Sequence, residues 1–195
     1  MKIILASSSP RRKDLMEKLV KDFEIIVPLK DEDTKQKMCM NKLCEKLSLQ
    51  KAEEVFSKTS GDRVVIGSDC MVSIKNKKLG KPHSEQEANE MLKLLSNRWH
   101  TVYTGLAVLI QKGEKIKKYV LCDKTKVKFK RLTQQDIDWY LGFDEYKDKA
   151  GSYAVQGISN VFVEKIKGNL STIIGLPTHK LFDILKAEEI IKLFL

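Results

Sequence analysis

Short apolar runs and longer amphipathic stretches follow one another along the chain. Patterns typical of strands lie at residues 3–6, 25–27, 63–66, 71–74, 78–79, 102–110, 119–129, 161–166 and 171–174. Apolar positions recur at helical spacing in residues 10–19, 41–57, 84–95 and 133–141, and again in a C-terminal stretch that begins near Pro177. This alternation predicts an α/β fold with a mixed, twisted central sheet flanked by helices, and residues 71–79 predict a hairpin.

Length and composition set the broad class of the protein. The chain has 195 residues, of which 42% are hydrophobic, so it is long enough for a real core. We expect one domain over residues 1–195, folded as two lobes around a cleft. No apolar run approaches the roughly 18 residues that a membrane span needs, and the first apolar run is too short for a signal peptide. These features predict a soluble, cytoplasmic protein without a membrane partner.

Cysteine and histidine spacing argues against a zinc site. The four cysteines contain no Cys-x-x-Cys pair, and the three histidines lie far apart in the sequence. Any bound metal would therefore depend mainly on carboxylate ligands. Carboxylate oxygens favour Mg²⁺ or Mn²⁺ over zinc.

The formal net charge of +10 is concentrated in one part of the chain. Residues 112–131 hold nine Lys or Arg and two acids, and the lysines at 124–130 occupy every second position. This period of two places lysines on one face of a strand and apolar side chains on the other. We interpret the lysines as a solvated face. A nucleic-acid surface is the less favoured alternative, because no aromatic residue is interleaved on the lysine face for base stacking.

The turn between the first strand and the first helix has the features of an anion site. Ser7, Arg11 and Arg12 lie there, and Pro10 suits the first turn of a helix that Ser9 would cap. A helix N-terminus presents backbone donors, and arginine adds bidentate recognition of phosphate oxygens. The alternative is a well-capped helix with two surface arginines.

Asp69 follows the apolar run 63–66 in a Gly-Ser-Asp turn, where a carboxylate could hold Mg²⁺ or accept a proton from water. Glu32, in the preceding loop, is its candidate partner. Lys51 and Lys81 are candidate cations for a triphosphate. The alternatives are an ordinary turn aspartate and two solvated lysines.

The segment 148–157 is a polar loop whose Gln156 offers the paired donor and acceptor that can read the edge of a base. On its residues alone, the favoured interpretation is a polar surface connection, and a site role is the alternative.

Several of these segments resemble one known family. The segments are LASSSPRR (5–12), GSD (67–69), LGKP (79–82), LSNRWHTVYTG (95–105), DKAGSYAVQG (148–157) and GLP (175–177). In this order and spacing they resemble the Maf family of nucleoside triphosphate pyrophosphatases. The resemblance implies an elongated α/β protein, often a dimer, with a cleft between two lobes. It also implies metal-dependent hydrolysis of a nucleoside triphosphate to the monophosphate and pyrophosphate.

The resemblance assigns roles by position. Asp69 would be the proton acceptor and, with Glu32, would hold the divalent metal, Mg²⁺ or Mn²⁺. Lys81 would sit on the triphosphate as a third catalytic residue beside Asp69 and Glu32. The remaining residues would bind the substrate's phosphates: Ser7, Arg11, Arg12 and Lys51.

The family's selectivity positions fall on Arg12, Cys70 and Gln156. Arg12 and Gln156 resemble the branch that acts on dTTP and UTP, so the expected substrates are these or modified pyrimidine nucleotides. Cys70 departs from the usual threonine, and a thiol is the poorer hydrogen-bond donor. Asn97 replaces a usual glycine with little expected consequence, since asparagine tolerates positive φ.

A second function is also open at the level of sequence. The family is associated with arrest of septum formation, and a non-catalytic regulator would act through a protein or nucleic-acid partner. A binding module has no need of Ser7, Arg12, Asp69 and Lys81 together, so we favour the enzyme. The expected partner is then a nucleoside triphosphate, with a homodimer as the family's usual assembly.

Overall fold

The structure, a computed structural model, describes residues 1–30 and 38–191 of the chain. In these ranges there are seven strands: β1 (Lys2–Ala6), β2 (Glu24–Ile25), β3 (Arg63–Ile74), β4 (Lys77–Leu79), β5 (Trp99–Lys112), β6 (Lys115–Phe129) and β7 (Val163–Lys167). They form one sheet in the order β2-β1-β3-β5-β6-β7, with β4 paired to β3. β1 is parallel to β2 and β3, whereas β3–β4 and β6–β7 are antiparallel, so the sheet is mixed as expected.

Six helices connect the strands in the described ranges, all but the fifth at positions that the apolar periodicity predicts. They are α1 (Pro10–Glu17), α2 (Met40–Ser57), α3 (Glu85–Leu95), α4 (Gln134–Leu141), α5 (Leu170–Ile174) and α6 (Thr178–Ala187). Two short 3₁₀ turns lie at Ala150–Ser152 and Ile158–Phe162. Side chains cap α3 and α4 where expected, because Ser84 and Thr133 accept the backbone N–H of the third helical residue. Within the described ranges, no helix is both long and apolar enough to cross a membrane.

The chain divides into two compact units, each with its own core. The first comprises Met1–Asp69, Thr104–Asp123 and Gly175–Leu195, and the second comprises Cys70–Tyr103 and Lys124–Ile174. Two units agree with the expected two lobes. The cleft, and the treatment of residues 1–195 as one domain, stay predictions.

In the first unit, α2 packs unusually close to the sheet. A Cβ at Gly67 of β3 would lie 2.2 Å from the backbone oxygen of Ser48, and one at Gly105 of β5 would lie 2.1 Å from that of Cys44. Such distances are shorter than any side chain tolerates, so both positions require glycine. The contact lets α2 place its polar side chains directly over β3, beside a core built from Ile4, Val65, Ala52 and other small apolar residues.

The second unit has an aromatic core. α3 contributes Ala88, Met91, Leu92 and Leu95, and the sheet contributes Val127 and Phe129. The rings of His100, Phe129 and Tyr153 meet edge to face, with centroids 4.9–5.3 Å apart. Lys124 and Lys126 are exposed whereas Thr125, Val127 and Phe129 are buried, so the alternating lysine pattern is confirmed.

Three local expectations are wrong. The strand that begins at Arg63 does not end before Gly67-Ser68-Asp69 but continues to Ile74, because its pairing with β1 extends to Gly67 and its pairing with β4 begins at Val72. Residues 171–174 belong to helix α5, since the Asn169 side chain accepts the backbone N–H and hydroxyl of Ser171 and so starts a helical turn. Ser9 precedes α1 without a capping bond from its own side chain.

Candidate active site

A buried ion pair joins α2 to the middle of β3 in the first unit. The Lys51 ammonium lies 2.7 Å from Oδ1 of Asp69 and donates a longer bond, 3.3 Å, to the carbonyl oxygen of Ser68. Lys51 is 9% exposed and Asp69 is 5% exposed. A charge pair held out of water costs desolvation energy, so its retention points to chemistry rather than to stability.

Hydrogen bonds tie the first loop of the same unit to this strand through one carbonyl group. Arg12 Nε donates to the Gly175 carbonyl oxygen at 2.8 Å, and the hydroxyl of Ser68 lies 2.8 Å from the same oxygen. Arg12 also reaches Ser7 Oγ at 3.2 Å. Ser7, Arg12, Ser68 and Asp69 are therefore held in one connected arrangement, and Ser7, Arg12, Lys51 and Asp69 lie in the same unit.

The loop before α1 is shaped by its own short-range bonds. The Ser7 hydroxyl accepts the backbone N–H of Ser9 at 3.1 Å as well as the Arg12 guanidinium, so its own O–H can donate elsewhere. Pro10 opens the helix, and Arg11 is half-buried in the first turn. A serine hydroxyl and a guanidinium at a helix N-terminus suit phosphate oxygens.

The carboxylate of Glu54, on α2, holds the backbone just before residue 31. Glu54 accepts hydrogen bonds from the backbone N–H groups of Leu29 and Lys30 at 2.9 and 3.0 Å. It also forms an ion pair with Lys58, whose ammonium lies 2.6 Å from Oε1. The bond from Lys58 and the two backbone bonds lower the pKa of Glu54 to about 2. Glu54 is a positioning residue that sequence reasoning missed. Glu32 itself lies outside the described residues.

The other expected site residues belong to the second unit. Lys81 and Gln156 are exposed, and Cys70 is half-buried against the aromatic core. The carbonyl of Gly80 accepts the N–H of Gly151 at 2.9 Å, which ties the Lys81 segment to the 148–157 loop.

Glu145 holds the end of that loop beyond Gln156. Its carboxylate accepts the backbone N–H of Ile158 at 2.7 Å and the hydroxyl of Ser159 at 3.2 Å. A Cβ at Gly157 would lie 2.1 Å from this carboxylate, so a larger residue after Gln156 would displace the Glu145 side chain from these bonds. The Gln156 side chain is thus exposed on a well-braced turn.

A buried polar pair, His100 and Tyr153, lies in the core against which Cys70 packs. His100 Nε2 and the Tyr153 hydroxyl are 2.7 Å apart. Burial lowers the pKa of His100 to about 4, so the imidazole is neutral at neutral pH. Burial, and then the neighbouring Cys70 thiol, raise the pKa of Tyr153 well above its ordinary value.

The donor set suits a hard divalent cation only in part. Over residues 1–30 and 38–191 no group of three His, Cys, Asp or Glu side chains could hold a metal ion by itself. Mg²⁺ is commonly bound by one or two carboxylates together with substrate phosphates, however, and the buried Asp69 carboxylate supplies such a ligand. The residues present therefore fit a cation that enters with a phosphorylated substrate.

Ser68, Gly175 and Glu54 are structural parts of the site to which sequence reasoning gave no role. Ser68 and Gly175 stand in the GSD and GLP segments, so the motifs were visible while the hydrogen bond between them was not. Glu54 carried no signal beyond its place three residues after Lys51 on one helix.

Comparison with known proteins gives a consistent result. The family model "Maf-like protein" matches residues 2–188. The dTTP/UTP pyrophosphatase of Clostridium novyi (strain NT) is 43% identical over 185 residues, covering 94% of this chain and 96% of that protein. The dTTP/UTP pyrophosphatase of Thermoanaerobacter sp. (strain X514) is 44% identical, with 96% and 97% covered.

A solved structure shares the fold at low sequence identity. The Staphylococcus aureus Ham1 protein superposes with a TM-score of 0.52 at 13% identity, covering 96% of this chain and all of that one. The likeness concerns the architecture of the sheet and helices alone.

Proposed function

The chain belongs to the Maf family, and on that premise we propose that it hydrolyses dTTP and UTP to the corresponding monophosphate and pyrophosphate. The observation that carries the proposal is the buried Asp69–Lys51 pair, connected through Ser68 and the Gly175 carbonyl to Arg12. A carboxylate, an ammonium and a guanidinium held together in this way can bind a phosphate chain and activate water beside it.

Each residue has a definite task in the proposed reaction. Asp69 orients a water molecule and accepts its proton on the oxygen that is not bonded to Lys51. The water oxygen forms a bond to the α-phosphorus while the bond from that phosphorus to the bridging oxygen breaks, and pyrophosphate leaves in line. Lys51 and Arg12 offset the charge that develops on the phosphate oxygens.

A divalent cation completes this donor set. Asp69, together with Glu32 on the strength of the family resemblance, would hold it, and Mg²⁺ or Mn²⁺ would supply Lewis acidity at the phosphate oxygens. Arg11 and Lys81 are the further phosphate ligands that we propose. A cytoplasmic location and a homodimer remain predictions.

Base selection is proposed for Arg12, Cys70 and Gln156. Gln156 is exposed on a braced turn, and its amide can donate to and accept from a pyrimidine edge. Cys70 replaces a better donor, so modified pyrimidine triphosphates belong in any substrate screen.

The test is pyrophosphate release by the purified chain. We expect release from dTTP and UTP with Mg²⁺ or Mn²⁺ and none in excess EDTA. Asp69→Asn should lower kcat at least 100-fold with an unchanged circular dichroism spectrum, because it removes the proton acceptor while keeping the shape of the side chain. The matched control is Asp22→Asn, which changes an exposed aspartate of the same unit. A folded Asp69→Asn protein with ordinary turnover would overturn the assignment.

The alternative of a non-catalytic regulator of septum formation is not favoured. Both relatives described above are named as pyrophosphatases, and the charged groups at Asp69 are arranged for reaction rather than for contact with a partner.

A further inference from the structure

Two antiparallel strands of the second unit place lysines directly opposite one another. In the register of β6 and β7, Lys126 pairs with Lys167 and Lys128 pairs with Lys165. We call these four residues the lysine face. Like charges directly opposite on neighbouring strands destabilise a sheet, so this arrangement costs folding energy and invites an anionic ligand.

Protection of a sheet edge does not account for the lysine face. β7 is the terminal strand, and lysines on such a strand discourage pairing with another chain. Lys126 and Lys128, however, lie on β6, which is covered by β5 on one side and β7 on the other. Half of the charge is therefore not at an edge.

Nearby acids offset little of this charge. Lys165 has a long contact with Glu164, 3.8 Å, and the Lys128 ammonium is bound by the backbone and side-chain oxygens of Asn97 at 2.6 and 2.9 Å. Within the described ranges, Lys126 and Lys167 form no ion pair with a carboxylate. An anion at this face would meet two unneutralised ammonium groups on facing strands.

An indole ring accompanies these two lysines. Trp99 of β5 is 38% exposed, and the Lys167 ammonium lies 5.2 Å from the centroid of its ring. Trp99, Thr101, Lys126 and Lys167 line an open groove of about 330 Å³. The alternating lysines at 124–130 have no aromatic residue on their own face of β6, but the sheet brings one in from a strand more than ten residues away in the sequence.

We propose that this groove binds single-stranded nucleic acid, with a base stacked on Trp99 and successive phosphates on the lysine face. A row of positive charge beside an exposed aromatic ring is the usual combination for single strands. Lysines two residues apart on one strand are about 7 Å apart, so a chain of phosphates can contact several of them together. A duplex keeps its bases stacked inside and would leave the indole without a partner, as would an acidic peptide.

The test uses Trp99 as its own reporter. In a Trp139→Phe background, Trp99 is the remaining tryptophan of the two in the chain. We expect a fluorescein-labelled (dT)₁₂ to bind and to quench the Trp99 emission. Its affinity should fall as salt is added, and the logarithm of the association constant plotted against the logarithm of the salt concentration should have a slope of about −3, since each phosphate contact on a single strand contributes roughly −0.7. EDTA in every sample prevents turnover and lets excess dTTP serve as a competitor that should not displace the oligonucleotide.

Two variants make the test specific. The double variant Lys126→Gln/Lys167→Gln should bind at least tenfold more weakly, with the slope reduced by about 1.4. Lys126→Glu should abolish binding, because it puts a negative charge in the groove. It should not lower the unfolding midpoint, because the new carboxylate lies opposite the Lys167 ammonium. Both should retain pyrophosphate release. Lys115→Gln/Lys180→Gln removes the same charge from exposed positions of the other unit and should bind normally.

Other results would overturn the proposal. These are equal weakening by the control pair, binding of (dT)₁₂ without quenching of Trp99, displacement by dTTP, and equal affinity for duplex DNA. Binding of phosphatidylglycerol vesicles in place of (dT)₁₂ would assign the face to a lipid surface instead.

Discussion

Cys70 stands directly after the proposed proton acceptor and packs half-buried against the core that contains Tyr153 and His100. A thiol fits this partly apolar setting because free cysteine behaves as a small hydrophobic side chain with a weak donor. The hydroxyl expected from the resemblance would donate more strongly. Selectivity at this position therefore depends on the donor strength of one atom.

Cys70→Thr should raise kcat/KM for dTTP and UTP about fivefold relative to CTP, since a net hydrogen bond contributes about 1 kcal/mol. Steady-state pyrophosphate release over the three nucleotides measures it. Cys122→Thr, at a half-buried position on β6, is the control and should leave the ratios as they are. A ratio unchanged by Cys70→Thr would remove this position from base selection.

Among the elements, α2 organises the first unit. Its Lys51 reaches Asp69, its Glu54 holds the chain at Leu29 and Lys30, and its backbone rests against Gly67 and Gly105. The bond from Lys51 to Asp69 depends on the close packing of α2 on the sheet, because a helix farther from the sheet would move Lys51 away from the Asp69 carboxylate. Gly67 and Gly105 therefore support the site indirectly, by allowing α2 to lie close to the sheet.

Gly105→Ala should lower the free energy of unfolding by about 2 kcal/mol, the range of overpacked cores, and should reduce kcat as α2 shifts. Urea unfolding and pyrophosphate release measure the two effects. Gly142→Ala is the matched control, because its added Cβ would meet other atoms no nearer than 3.4 Å and its φ of −62° suits alanine. Wild-type stability and turnover in Gly105→Ala would show that α2 is not held by this contact.

For the whole molecule, the charge of +10 separates into two parts. Arg12 and Lys51 are bound into the first unit's polar site, whereas the lysine face lies on the parts of β6 and β7 that belong to the second unit. The pH dependence of the folding stability is set in part by His100, whose imidazole is neutral in the folded protein. Folding holds the pKa of this group near 4 instead of the ordinary 6.5, so the unfolded chain binds the proton more tightly.

The contribution of His100 to stability should be complete above pH 6.5 and should be lost as the pH falls from 6.5 towards 4. The loss should reach about 3 kcal/mol, because each pKa unit corresponds to 1.36 kcal/mol. Urea unfolding of the wild type and His100→Gln between pH 4 and 7.5 isolates the effect as the difference between the two curves. His83→Gln changes an exposed histidine and should follow the wild type. Parallel wild-type and His100→Gln curves would contradict the assignment.

The sequence by itself determined the order of elements, the helix start at Pro10, the N-caps Ser84 and Thr133, and the candidate residues of the site. Caps, periodicity and loop residues act over a few positions, so they are visible in a linear chain. Asn97 is an example: it adopts φ of 55° in its turn, as the tolerance of asparagine for positive φ predicts. The strand break at Asp69 and the strand at 171–174 were predicted wrongly, because pairing partners and a neighbouring side chain decided them.

Only the tertiary structure decided which distant groups meet. The Gly175 carbonyl joins Arg12 to Ser68 across more than 100 residues, and no local pattern encodes that bond. The same holds for Trp99 beside Lys126 and Lys167, which come from three different strands. Side-chain periodicity assigns a residue to a face of its own strand, while sheet order and register determine its neighbours. The chemistry of the residues was therefore readable in sequence, and their combination into sites was set by the fold.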